Sequence, residues 1–221
     1  MQLFFLRLLD YLLNIPNRFW RFVKWLLWLT AINGKNKFLR WFAGSFLLAI
    51  DITPIPFLVE VLMDLFKPKS RPLNEKEIFI AESVFGQALP TRLIRIDPTS
   101  YFVKKSGIIA FVTLHTVNID REVSDNAFVH ELVHIWQYRN MGSSYISEAI
   151  WGQKWGGGYD YGGFIALKEN LSRGLAAFNL EQQADIIEEY FRLTTNMPLQ
   201  WTPRLNGLEE ILRVYLNEVK E

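Results

Sequence analysis

The sequence predicts an α+β fold that is predominantly helical, with a small β-sheet and an aromatic, basic helical appendage at its N-terminus. Three observations carry that expectation. Apolar residues recur at three- and four-residue spacings in several long stretches, helix caps stand at Asn74 and Asn179, and the sheet-forming residue types gather in short runs between them. A chain of 221 residues with 50% hydrophobic and 15% aromatic content can build one sizeable core and carry an appendage. Without cysteine it has no disulfide, no thiol nucleophile and no thiolate site, so any metal must be held by histidine and carboxylate. A formal charge of +1 gives no ground to expect nucleic acid as a partner.

Residues 1–40 set Arg7, Arg18, Arg21, Lys24, Lys35, Lys37 and Arg40 against one acid, Asp10, with Trp20, Trp25, Trp28 and the adjoining Trp41 among them. That composition suits an anionic membrane surface, where indole rings sit at headgroup level and cations meet lipid phosphate. Helices are expected over 3–13 and 19–32, separated by the breaker Asn14-Ile15-Pro16-Asn17. Residues 41–66 have the length of a membrane span, but Pro54, Pro56, Asp51, Glu60 and Asp64 disfavour a clean one. A broken hairpin lying on a membrane is the expectation, and burial of both stretches against the core is its alternative. No small-residue cleavage site closes an N-terminal apolar run, so a signal peptide is not expected and the placement is cytoplasmic or membrane-peripheral.

Residues 67–72, with Pro68 and Pro72 in a charged run, read as a linker, which divides the chain into 1–66, 67–72 and 73–221. Asn74 and Glu77 form a capping-box pattern for a helix whose apolar side is Ile78, Phe79, Ala81, Val84 and Phe85 and which ends at Gly86. A short strand is expected over 92–97 and a stronger one over 107–117. A turn then leads into a helix capped by Ser124 or Asp125 and running to about Asn140, with Gly142 beyond. Further helices are expected over 145–154, 180–191 and 205–219.

The helix after Ser124 carries His130-Glu131-Leu132-Val133-His134, in a chain with three histidines. Two imidazoles four apart share one helix face and can grip one metal ion, while Glu131 lies beside a metal-activated water as general base. A catalytic zinc site needs a third protein ligand. His115 is the remaining histidine. Glu181 is the better candidate, since Asn179 caps a helix on which Glu181 and Asp185 stand four apart. Asp185 could then accept a hydrogen bond from the non-ligating nitrogen of His130 or His134. Acids in a first helical turn also have an ordinary explanation in the helix dipole.

Phe128 through Gln137, followed by Glu181-Gln182-Gln183-Ala184-Asp185, resembles the zincin-like HExxH metallopeptidase domain associated with contractile injection and type VI-like secretion systems. Phe85 to Pro90 and residues 107–115 are similar to that family's pre-catalytic turn and strand, and the resemblance covers roughly residues 72–192. It implies a zincin-like domain with a gluzincin-like ligand set of His130, His134 and Glu181, Asp185 as companion, Zn2+ as cofactor, and a secretion-system component as partner. It also implies a peptide or protein substrate, and secretion by a specialised system enters as a further placement.

The segment Gly156-Gly157-Gly158-Tyr159-Asp160-Tyr161-Gly162-Gly163 lies between the two ligand helices, and Tyr159 and Tyr161 are candidate transition-state contacts, as is His115 for substrate. The segment lacks the Lys-Ser/Thr ending of a phosphate loop, and Ser143, Ser144 and Ser147 lack a histidine–acid relay. The expected function is zinc-dependent peptide hydrolysis. The alternative is a catalytically inactive binding or structural module linked to a secretion system or membrane.

Overall fold

The computed structural model describes residues 2–28, 35–120 and 122–220. Its elements run α1 (Gln2–Leu27), α2 (Lys35–Ile52), α3 (Ile55–Phe66), β1 (Arg71–Pro72), α4 (Glu75–Phe85), β2 (Arg95–Asp97), α5 (Tyr101–Ser106), β3 (Ala110–Thr113), β4 (Thr116–Ile119), α6 (Asp125–Met141), α7 (Ser144–Trp155), α8 (Gly163–Glu169), a 3-10 turn (Gly174–Ala177), α9 (Leu180–Thr194) and α10 (Leu208–Lys220). This is a predominantly helical α+β fold with a small mixed sheet of order β1-β2-β4-β3. β2 and β4 pair parallel, while β1–β2 and β3–β4 pair antiparallel.

The core lies between the sheet and helices α4, α6, α9 and α10, where Phe85, Ile94, Val117, Leu132, Ile135, Ile187 and Tyr215 are fully buried. Two of its helices start at the caps read from sequence. Asn74 accepts from Glu77 N while Glu77 accepts from Asn74 N, and Asn179 and Gln182 repeat that reciprocal box at the head of α9. α6 starts after Ser124 and stops at Gly142, whose φ of 68° is left-handed. A side chain could not replace that hydrogen, because a Cβ on Gly142 would stand 2.3 Å from Asp51 Oδ2. Asp51 occupies the space by accepting from Ser143 N at 2.6 Å and Ser143 Oγ at 2.5 Å.

Four expectations change. The break at Pro16 is absent: α1 is one helix with Pro16 inside it, and residues 29–32 of the second expected helix lie outside the described residues. Proline removes one helical hydrogen bond, and anchors on either side offset the loss. Arg7 Nε donates to Asp64 at 2.8 Å, Arg18 Nη1 donates to Asp51 O at 3.3 Å, and Asn14 Nδ2 holds Asp10 O at 2.8 Å. Second, residues 107–117 form a hairpin in place of a single strand. Gly107 ends α5, which the sequence reading did not anticipate, and β3 and β4 are joined at Leu114-His115. Leu114 takes a φ of 55°, uncommon for a branched side chain, and is held there by burial against Tyr138, Tyr145 and Leu180. Third, the end of the linker, Arg71–Pro72, is an edge strand paired with β2. Fourth, α2 and α3 meet at a 75° bend around Thr53-Pro54 and do not form a hairpin, and no single helix among the described residues is long and apolar enough to cross a membrane.

The N-terminal helices are fastened to the rest of the chain by charge. Arg21 Nη1 donates to Arg139 O at 2.6 Å, Arg139 Nη1 pairs with Asp10 at 3.0 Å, and Arg40 pairs with Glu148 on α7.

Candidate metal centre

α6 and α9 pack along one another and bring together residues 47 to 51 positions apart in the chain. His130 Nε2 lies 3.4 Å from Glu181 Oε2, and His134 Nε2 lies 3.6 Å from the same oxygen. These separations are long for hydrogen bonds. They match the edges of a tetrahedron, since ligand atoms about 2.0–2.1 Å from a zinc ion stand roughly 3.4 Å apart. The donor set therefore fits zinc: two imidazole nitrogens and one carboxylate oxygen, all within 4.8 Å of one another.

Both rings present the correct nitrogen. His130 Nδ1 faces Asp185 Oδ1 at 2.9 Å and Glu188 Oε2 at 3.3 Å, acceptors that keep the proton on Nδ1 and leave Nε2 for a metal. For His134 the argument passes through Gln137. Gln137 Nε2 donates to the carbonyl of Leu180 at 2.9 Å, which fixes which end of the amide is oxygen. That oxygen faces His134 Nδ1 at 2.8 Å, so Nδ1 is the donor. The carboxylates are held in turn. Trp201 Nε1 donates to Asp185 Oδ2 at 2.6 Å, Arg192 Nε to Glu188 Oε1 at 2.7 Å, and Gln153 Nε2 to Glu181 Oε1 at 2.9 Å.

The electrostatics favour a cation. Burial opposes charge on His130, but the carboxylates of Asp185, Glu181 and Glu188 outweigh it and raise its pKa well above the ordinary imidazole value. His134 is raised likewise, burial being outweighed by Glu181. Burial also opposes charge on Glu181, yet the two imidazoles hold its carboxyl well below the usual carboxylate range. Glu131 differs from these. It is 8% exposed, burial raises its pKa, and its Oε2 has no hydrogen-bond partner among the described residues. A buried carboxylate oxygen left free beside the ligand set is placed for proton transfer.

The ligands open on a cleft of about 340 Å³ lined by β3 on one side and by Tyr145, Ile146, Ala149 and Ile150 of α7 on the other. Tyr159 stands at its rim, its ring 6.1 Å from that of His130, and burial and the nearby Glu181 push its pKa up to about 12. Tyr161 and His115 are elsewhere. The Tyr161 hydroxyl shares a hydrogen bond with Thr202 Oγ1 at 2.8 Å inside the core, where Phe178 packs on the ring. His115 sits in the β3–β4 turn and points to α3, its Nδ1 2.7 Å from Glu60 Oε1, so it is no contact of the cleft. The strand expected there would have allowed either face; the hairpin turn directs the ring away.

Sequence reading did not single out Gln137, Gln153, Glu188 or Trp201. Spacing could have found two of them: Gln137 follows His134 by three residues, and Glu188 follows Asp185 by three, each on the ligand face of its helix.

A stretch of 133 residues is 26% identical to the type VI secretion system spike protein VgrG2b of Pseudomonas aeruginosa. The alignment takes in 55% of this chain and spans 13% of that protein. No family model and no solved structure matches. The chain carries groups of histidine and carboxylate that could bind a metal.

Proposed function

We propose that this chain is a zinc-dependent peptide hydrolase of the HExxH kind, acting in a type VI-like secretion context. The observation that carries the reading is the convergence of His130 Nε2, His134 Nε2 and Glu181 Oε2 at tetrahedral-edge distances, with Glu131 Oε2 unpartnered beside them. A zinc ion held there supplies Lewis acidity toward water and a carbonyl group. Glu131 takes the proton of the attacking water at its free oxygen, and its raised pKa lets it return that proton to the leaving amine. His130 and His134 keep their Nδ1 protons throughout, fixed by Asp185 and Gln137.

A peptide suits the cleft because β3 is the last strand of the sheet and forms one cleft wall. Its outer edge can accept an extended chain by strand addition. The apolar faces of Ile146, Ala149 and Ile150 opposite favour an apolar side chain next to the cleaved bond. Elemental analysis is expected to give one zinc per chain, with cleavage of apolar-rich peptides that chelation stops and zinc restores. A chain that takes up no zinc, or that binds zinc and cleaves no member of a broad peptide library, overturns the hydrolase reading.

A further inference from the structure

In a water-facing helix the apolar side chains turn in and the charges turn out. The three N-terminal helices do the reverse. Every acid they carry is partnered: Asp10, Asp51 and Glu60 by Arg139, Ser143 and His115 of the body of the chain, and Asp64, with Glu60, by the buried Arg7 of α1. Arg7 and Arg18 are buried as well, 2% and 6% exposed. The outer face is left to Phe5, Leu13, Trp20, Phe42, Phe46 and Leu65, each more than half exposed. Among the described side chains of α1, α2 and α3, the exposed charges are Lys24 and Lys37, and no acid is exposed.

We propose that this outer face seats on an anionic lipid bilayer, lying in the interface and not crossing it. Two properties of the face choose lipid. Its charge has one sign, which complements anionic headgroups and would repel an identical face. The Lys24 ammonium lies 5.6 Å from the centre of the exposed Trp20 ring, an aromatic and cation pair of the kind that settles at headgroup level. Geometry chooses the depth. α2 and α3, of 18 and 12 residues, are about 27 and 18 Å long. Neither alone reaches across a hydrocarbon layer about 30 Å thick, and the pair, bent by 75°, is tied to the body of the chain on both sides of the bend, Asp51 to Ser143 and Glu60 to His115. α1 is long enough, but its Arg7 and Arg18 are committed to α3 and α2 and its Asp10 to Arg139 in the body of the chain. The indole of Trp25 donates to Trp41 O at 2.9 Å and that of Trp41 to Trp25 O at 3.1 Å, which ties α1 to α2 as one plate. Arg40, paired with Glu148, connects the plate to α7, the apolar wall of the cleft.

The test uses the full chain, sedimented with vesicles of phosphatidylglycerol and phosphatidylcholine or of phosphatidylcholine alone, at low and high salt. The full chain should sediment with the anionic vesicles, and salt should weaken the binding. Combined Leu13→Gln, Phe42→Gln and Phe46→Gln, which remove exposed groups and leave the buried anchors intact, should lower partition by more than about tenfold. Lys24→Glu with Lys37→Glu should lower it by roughly tenfold or more. Zinc content serves as the folding control and reports on the metal centre separately. Unchanged partition in both variants overturns the proposal. So does absence of vesicle binding accompanied by concentration-dependent dimerisation, which would assign the face to a second copy, and equal binding to neutral vesicles overturns the choice of an anionic surface.

Discussion

Around His130 and His134 the buried carboxylates Glu131, Glu181, Asp185 and Glu188 meet two imidazoles and a single arginine, Arg192, which reaches only the far oxygen of Glu188. Around His115 the carboxylates Glu60 and Asp64 meet Arg7, whose guanidinium touches both, at 2.6 Å and 2.8 Å. The two clusters share their residue types and differ in what fills the centre. An arginine already fills one, and its fork of fixed N–H donors leaves no room for a metal. The other has more carboxylates than cations and a triangle of atoms at metal-ligand spacing. On the proposed reading, His130 and His134 are open to a metal because no guanidinium occupies the gap between them and Glu181.

The largest effect that sharpens this contrast is expected from Glu131→Gln. Peptide cleavage should fall by about 10²–10⁴-fold, as for loss of a general base, while elemental analysis still finds zinc. Turnover at the full rate would break the proposed division of roles. Next in size is Arg7→Met, which leaves Glu60 and Asp64 buried without their cation. Chemical denaturation should show a loss of about 3–5 kcal/mol with zinc stoichiometry unchanged; a loss under about 1 kcal/mol would mean that the arginine is not what closes that cluster. Smaller is Asp185→Asn, which should weaken zinc binding by about 10–100-fold in competition titrations.

The same titrations carry a pH signature. The raised pKa of His130 lets protons compete with zinc above the ordinary imidazole range, so affinity should go on rising with pH until that raised value is passed. In Asp185→Asn the rise should move to lower pH. Without metal the sign reverses: the charged imidazoles stabilise the fold fully below the ordinary imidazole pKa, and that contribution is lost as pH rises through the raised folded-state values.

Much of this centre was legible because it depends on local spacing. Four residues separate the two histidines and four separate Glu181 from Asp185, and Asn179 announces the helix that carries the second pair. The capping box at Asn74 and Glu77 was legible for the same reason, as was the cap at Asn179. What sequence could not show was decided by distant partners. Nothing beside Pro16 in the chain says that Arg7 and Arg18 will clamp a helix across it. Leu114-His115 has no turn residue to mark it, and its left-handed leucine is held by Tyr138, Tyr145 and Leu180. The N-terminal composition suggested a membrane-facing segment, but the inward turn of all four acids became visible only in three dimensions.

Asn179 does more than begin a helix. Its carbonyl oxygen accepts from Glu181 N and Gln182 N, and its amide donates to Gly156 O at 2.9 Å and Gly158 O at 2.8 Å. Gly152 passes so close that a Cβ there would stand 3.1 Å from the same side chain. One amide thus pins the rim segment carrying Tyr159 to the first turn carrying Glu181. The pin makes rim and carboxylate a single lever: if Glu181 holds zinc as proposed, a chain pressing on the rim would be felt at that carboxylate, and loosening the rim to admit a bulkier guest would be transmitted to the grip on the ion.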